Sequence, residues 1–263
     1  MALIHSHFFS NSLGRQVSCD VILPQKSTKL IGMDSAEKEK IPVLWLLHGA
    51  SDDETIWQRR TSIERYVSPL GLAVVMPSVE LSGYSNLAHG GKFYDYVAKE
   101  LPLVMNGFFG FSLDREDNFI CGLSMGGAGA LKIGLANPGF YSVIGCLSAG
   151  IFNRALPKDT SNIDPEKNKR GFMQYDGRNL EGSEEDLLCN IQKIVDSGKD
   201  IPRVYHSCGS DDFLLNSAHF TRDTFNSYEG NPFDYVYEED PGAHTWEYWD
   251  EHIQRFLAYA LKK

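Results

Sequence analysis

Five consecutive residues, Val43-Leu44-Trp45-Leu46-Leu47, offer water no polar face on either side of an extended segment. A strand of that kind has to be covered on both faces, and strands covered on both faces belong to parallel α/β sheets. Ala73-Val74-Val75-Met76 repeats the signal and stops at Pro77. Residues 118–123, 143–148, 203–208 and 234–238 supply further runs, and 17–24 alternates as an early antiparallel strand does. Between them lie stretches with helical spacing. Residues 93–105 place Phe93, Val97, Leu101 and Val104 on one face; 55–67, 125–136 and 183–195 follow the same rule. A last helix, with Trp246, Trp249, Ile253, Phe256 and Leu257 inward, follows His244. Strands alternating with helices predict one α/β domain over residues 1–263, with a mostly parallel central sheet flanked by helices on both faces.

One stretch breaks the rhythm. Residues 151–182 are polar, carry Pro157 and Pro165, and show no period. An excursion of that length reads either as a cap or lid inserted in the domain or as a disordered loop.

Charge and cysteine content narrow the function classes. A formal net charge of −10 argues against nucleic-acid partners, which call for a basic stripe, and against steering of anionic substrates. Glu37-Lys38-Glu39-Lys40 is mixed in sign and reads as an exposed loop. No apolar window is long enough to span a bilayer, and the N-terminus lacks the pattern of a signal peptide. Five cysteines, an odd number without paired spacing, argue against a disulfide framework or a zinc site, and a reducing cytoplasm fits them best.

The chemistry is concentrated at Gly122-Leu123-Ser124-Met125-Gly126-Gly127, a G-x-S-x-G pattern. The run 118–121 enters it and the Ala/Gly-rich stretch 128–131 leaves it. Strand, sharp turn and helix make a nucleophile elbow, with Ser124 as the nucleophile and the amide of Met125 as one oxyanion donor. Glycine is required on both sides of the turn, where a Cβ would strike the facing element.

This segment, together with Leu47-His48-Gly49 and residues 94–102, resembles the esterase D branch of the α/β-hydrolase fold, most closely its tributyrin esterases. The likeness runs from about residue 2 to the end. It implies a serine carboxylesterase acting on short-chain acyl esters, acetyl to butyryl, with no cofactor and no metal, and it implies a homo-oligomer. The amide of Ala50 becomes the second oxyanion donor by resemblance. Two departures, Leu123 before the serine and the loop His48-Gly49-Ala50-Ser51, speak against the S-formylglutathione hydrolases of the same branch.

A serine hydroxyl needs a base held by a carboxylate. The chain order in this fold is serine, acid, histidine, so the base is His219, His244 or His252. His219 and His252 fall in helices and are expected on their surfaces. His244 sits in a loop, Pro241-Gly242-Ala243-His244-Thr245-Trp246, that also matches the family's G-x-H-x-W pattern. The acid follows the run 203–208, where Asp211 and Asp212 stand side by side. The resemblance selects Asp212, three residues after Gly209. His48 is expected to brace the oxyanion loop and His89 to approach the mouth of the site. Trp57, Phe213 and Trp246 are candidate walls for a small uncharged ester or, alternatively, core residues. The same residues also serve a thioesterase or an acyltransferase, and a catalytically silent binding protein is the alternative outside enzymes.

Overall fold

The computed structural model describes the whole chain except residues 28–30, 32, 33, 35, 37, 152–159, 161, 162 and 263. Glu37 and much of 151–162 therefore lie outside the described residues; Lys38, Glu39 and Lys40 are exposed.

The chain opens with a hairpin of β1 (Ala2–Ser10) and β2 (Arg15–Leu23), then enters the centre of the sheet at β3 (Val43–Leu47). Two short helices, α1 (Ile56–Arg60) and α2 (Ile63–Val67), lead to β4 (Ala73–Pro77). A long helical passage follows. It begins as α3 (Phe93–Asp95), loosens into a π-helical turn at Tyr96–Glu100 and continues as α4 (Leu101–Phe109). The sequence pattern predicts a single helix here. Pro102 is accommodated because it falls in the first turn of α4, where its missing N–H is least costly.

Next come β5 (Asn118–Leu123), α5 (Met125–Ala136) and β6 (Val143–Leu147). The remainder is α6 (Lys169–Tyr175), α7 (Leu187–Ser197), β7 (Arg203–Gly209), α8 (Leu215–Asn226), β8 (Val236–Asp240) and α9 (Trp246–Ala260). α7 starts at Asp186, whose carboxylate accepts from Cys189 N at 3.1 Å, rather than at Ser183. The Ser183 hydroxyl instead donates to Leu180 O at 2.8 Å and closes a turn before the helix.

The strands form one eight-stranded sheet in the order β1-β2-β4-β3-β5-β6-β7-β8. β2 pairs antiparallel with both β1 and β4, and the pairings from β4 to β8 are parallel. β3 shows why its run is unbroken. Val43, Trp45 and Leu47 enter one core with residues of α5 and α7, whereas Leu44 and Leu46 enter the opposite core with α1, α2 and α9. Burying each such side chain is worth roughly 1.5–3 kcal/mol, so a polar residue anywhere in β3 is costly. Helices therefore cover both faces, and the parallel strands all point their carboxyl ends at the edge where the loops of the site gather.

Candidate active site

Ser124 is the first residue beyond β5 and the last before α5. Its backbone lies at φ 51° and ψ −119°, left-handed space that a side chain rarely occupies. The turn holds it there from both sides. Ser124 N donates to Leu147 O at 2.8 Å, and its carbonyl accepts from Ala128 N at 3.0 Å in the first turn of α5. A Cβ on Gly122 would lie 2.5 Å from the carbonyl carbon of Gly126, and one on Gly126 would lie 2.4 Å from Leu47 O. Strand and helix can approach this closely only because both positions are glycine.

Three loops meet at this turn. His244, four residues past β8, places Nε2 2.9 Å from Ser124 Oγ and Nδ1 2.8 Å from Asp212 Oδ2. The Asp212 side chain is fully buried and that of His244 is 17% exposed. Burial opposes the charge on Asp212, but hydrogen bonds from His244 and Leu214 N outweigh it and hold the carboxyl below its usual range. The second oxygen, Oδ1, accepts from Leu214 N at 2.8 Å. Asp211 is exposed and its amide donates to Gly242 O at 2.8 Å, so its backbone fastens the loop while its side chain faces away. The imidazole lies between rings, with Phe213 at 4.5 Å and the edge of Trp249 at 4.9 Å.

The loops after β7 and β8 are locked to one another. Ser210 N donates to Asp240 O at 2.9 Å, and a Cβ on Gly209 would fall 2.3 Å from Gly242 O. The close approach fixes the aspartate relative to the imidazole.

Ser124 opens on a cavity of about 470 Å³ that Ala50 and Met125 also line. Neither amide donates to a described residue, which leaves both N–H groups available to an incoming oxygen. The loop bearing Ala50 is braced by His48. Its Nδ1 donates to Gly49 O at 2.7 Å and its Nε2 accepts from Val79 N at 3.0 Å, a pattern that requires the neutral ring. Burial lowers the His48 pKa accordingly.

The aromatic candidates divide. Phe213 lines the cavity. Trp57 does not: it is fully buried, donates from Nε1 to Leu47 O at 3.1 Å and packs edge-on against Trp246. Trp246 joins Trp57 and Trp249 in a cluster beneath the base loop, outside the cavity lining. Both pack in the core between the sheet and the helices that carry them. His252 also departs from expectation. It is buried rather than on a helix surface, stacked on Tyr248 at 3.9 Å and hydrogen-bonded to the Tyr205 hydroxyl at 3.0 Å. His219 pairs with Glu239 at 2.6 Å. His89 reaches Asp176 at 2.8 Å and stacks on Phe172, which ties the loop before α3 to α6 instead of entering the cavity.

The far wall of the cavity comes from residues that no motif in the sequence marks. Lys132 lies on α5, and Arg170, Gln174 and Tyr175 lie on α6. A lysine inside an otherwise Ala/Gly-rich apolar helix was the available signal for the first. The other three fall in the stretch without periodicity, where spacing carries no information.

The sheet, the elbow and the loop arrangement define a protein of the α/β-hydrolase type. The family described as "Putative esterase" matches residues 10–260, and the chain belongs to that family. An acetyl esterase of Caldicellulosiruptor saccharolyticus is 32% identical, with 100% of this chain and 99% of that protein covered. Among solved structures, the Staphylococcus aureus fluorophosphonate-binding serine hydrolase FphF, substrate bound, superposes with a TM-score of 0.82 at 32% identity, covering 100% of this chain and 99% of that one. The S. aureus S-formylglutathione hydrolase FrmB, apoenzyme, gives 0.79 at 32% identity, with 99% of each chain covered. Among the described residues no helix is long and apolar enough to cross a membrane.

Proposed function

We propose that this chain hydrolyses short-chain acyl esters, acetyl to butyryl, through an acyl-enzyme on Ser124. Membership of the esterase family makes it a carboxylic ester hydrolase, and its end-to-end likeness to an acetyl esterase supports a small acyl group. The observation that carries the residue roles is the unbroken row from Ser124 Oγ through the His244 ring to Asp212, with contacts of 2.9 and 2.8 Å.

His244 Nε2 accepts the Ser124 proton as Oγ attacks the ester carbonyl. The oxyanion receives the amides of Ala50 and Met125, each such donor being worth roughly 3–4 kcal/mol of barrier. Asp212 holds Nδ1–H and offsets the charge that forms on the imidazolium. The imidazolium returns its proton to the leaving alcohol, and water then repeats the cycle on the acyl-enzyme. A cavity near 470 Å³ suits a small substrate. The described part of 151–182, with α6 walling that cavity, acts as a cap. Five cysteines without a disulfide support a reducing compartment, the cytoplasm.

A thioester substrate is the second reading, favoured by the 32% identity to FrmB. Turnover of p-nitrophenyl acetate, butyrate and octanoate by wild type and Ser124→Ala tests the proposal. Activity on the acetate and butyrate that disappears in the variant supports it. An active Ser124→Ala, or preference for octanoate, refutes the nucleophile or the acyl size respectively.

A further inference from the structure

The formal net charge of −10 belongs to the whole chain, whereas two cationic side chains reach the wall of the cavity. Lys132 and Arg170 line it, and among the described residues no aspartate or glutamate does.

The two cations are not equivalent. Lys132 Nζ is committed. It pairs with Glu185 at 2.8 Å and donates to Gly83 O at 2.9 Å and to the Ser85 hydroxyl at 2.5 Å, with the side chain 7% exposed. Arg170 forms no ion pair or hydrogen bond with any described residue. The acids at Asp176, Glu184 and Glu185 already have partners: Asp176 holds His89, Glu184 holds Arg178, and Glu185 holds Lys132. The guanidinium is exposed at the cavity wall without a partner among the described residues, its five donors in a planar fork suited to a carboxylate.

Its backbone is carried by α6, which is docked in place while the side chain stays exposed. Gln174 Nε2 donates to Ser82 O at 2.8 Å, and Gln174 O accepts from Ala88 N, which docks the helix against the loop after β4. A Cβ on Gly83 would meet Gln174 Nε2 at 2.5 Å and Arg170 Nη2 at 3.5 Å, so the guanidinium sits over Gly83, the residue whose carbonyl holds Lys132. Met125, Ala128 and Lys132 line the cavity in succession along α5. Seven residues of helix rise, about 10 Å, separate Met125 from Lys132 along α5. A short acyl group does not span that distance, whereas the alcohol portion of an ester can.

Resting on the esterase reading above, we infer that the alcohol portion of the substrate carries a carboxylate, received by Arg170 at the α6 end of the cavity. The ester is then a small acyl group on a hydroxy acid, and hydrolysis with one water releases a short carboxylic acid and that hydroxy acid.

Two acetate esters of one phenol, 4-acetoxybenzoate and methyl 4-acetoxybenzoate, provide the test. Acetate release from each is followed for wild type, Arg170→Gln and Arg170→Lys, and the readout is the ratio of kcat/KM for the acid over the methyl ester. The expected result is a fall in that ratio of about tenfold in Arg170→Gln, the scale of one charge-assisted hydrogen bond, with part of it restored in Arg170→Lys. An unchanged ratio in Arg170→Gln, or an equal fall for both esters, overturns the inference. Neither outcome touches the esterase reading, which stands or falls on p-nitrophenyl acetate and Ser124→Ala.

Discussion

The imidazole of His244 lies 2.9 Å from the hydroxyl of Ser124 across a sequence separation of 120 residues. β6 and β7 stand between their strands in the sheet, so neither residue is brought to the other by local structure. The contact exists because parallel strands end at one edge and the loops beyond β5 and β8 converge there.

Asp212→Asn and Asp211→Asn separate the two adjacent acids. Asp212 is buried against the imidazole, and its amide replacement can stabilise the wrong tautomer, so kcat falls by a factor on the order of 10⁴. Asp211→Asn, whose side chain is exposed, changes kcat less than about threefold. Steady-state kinetics on p-nitrophenyl acetate decide it; equal losses in the two variants contradict the assignment.

Gly209→Ala tests the lock between the acid and base loops. Its Cβ would fall 2.3 Å from Gly242 O, a backbone atom that cannot swing aside, so the loops must part. Overpacking of this kind costs about 1–3 kcal/mol, visible as a lower melting temperature. Because the parting moves Asp212 relative to His244, kcat falls by more than about tenfold while KM changes little. Wild-type kcat in a stable variant removes the lock.

Stability at low pH follows from His206, which is fully buried in β7 between the Tyr235 hydroxyl at 2.7 Å and Ala149 O at 3.0 Å. Burial lowers its pKa to about 4, with the Ala149 carbonyl opposing. The unfolded chain therefore takes up this proton near pH 6.5 and the folded chain only near 4, so this contribution is full above about 6.5 and is lost as pH falls toward 4. The loss amounts to about 3 kcal/mol, and the neutral buried ring of His48 adds in the same direction. Urea midpoints at pH 7.5 and 4.5 should differ less in His206→Gln than in wild type. An identical difference in the two proteins rules this residue out as the source.

Trp57→Phe distinguishes support from substrate contact. The variant loses the hydrogen bond to Leu47 O, about 1 kcal/mol of stability, and leaves KM for p-nitrophenyl butyrate within about twofold. A KM change of tenfold or more at unaltered stability returns Trp57 to the pocket.

Local chemistry made much of this legible in the chain itself. The apolar run of β3, the Pro77 stop, the elbow glycines and the Ala/Gly-rich α5 each state their own structure, because burial on two faces and backbone collision are properties of neighbouring residues. β1 is not legible in the chain: its burial alternates, but Ser6 and Ser10 lie on the inner side and Leu3 and Phe9 on the outer, so hydropathy does not follow the alternation. α6 escaped as well, since Arg170 and Gln174 point polar groups into a cavity rather than an apolar face into a core.

The residue types, their order along the chain and the class of sheet were thus settled by sequence, through burial and turn sterics that act over a few residues. Tertiary structure alone decided that Trp57 and Trp246 stand beneath the loops, outside the cavity lining, and that Lys132 and Arg170 reach the wall of that cavity. Those outcomes depend on how distant loops pack across the carboxyl edge of the sheet, and no local pattern encodes that distance.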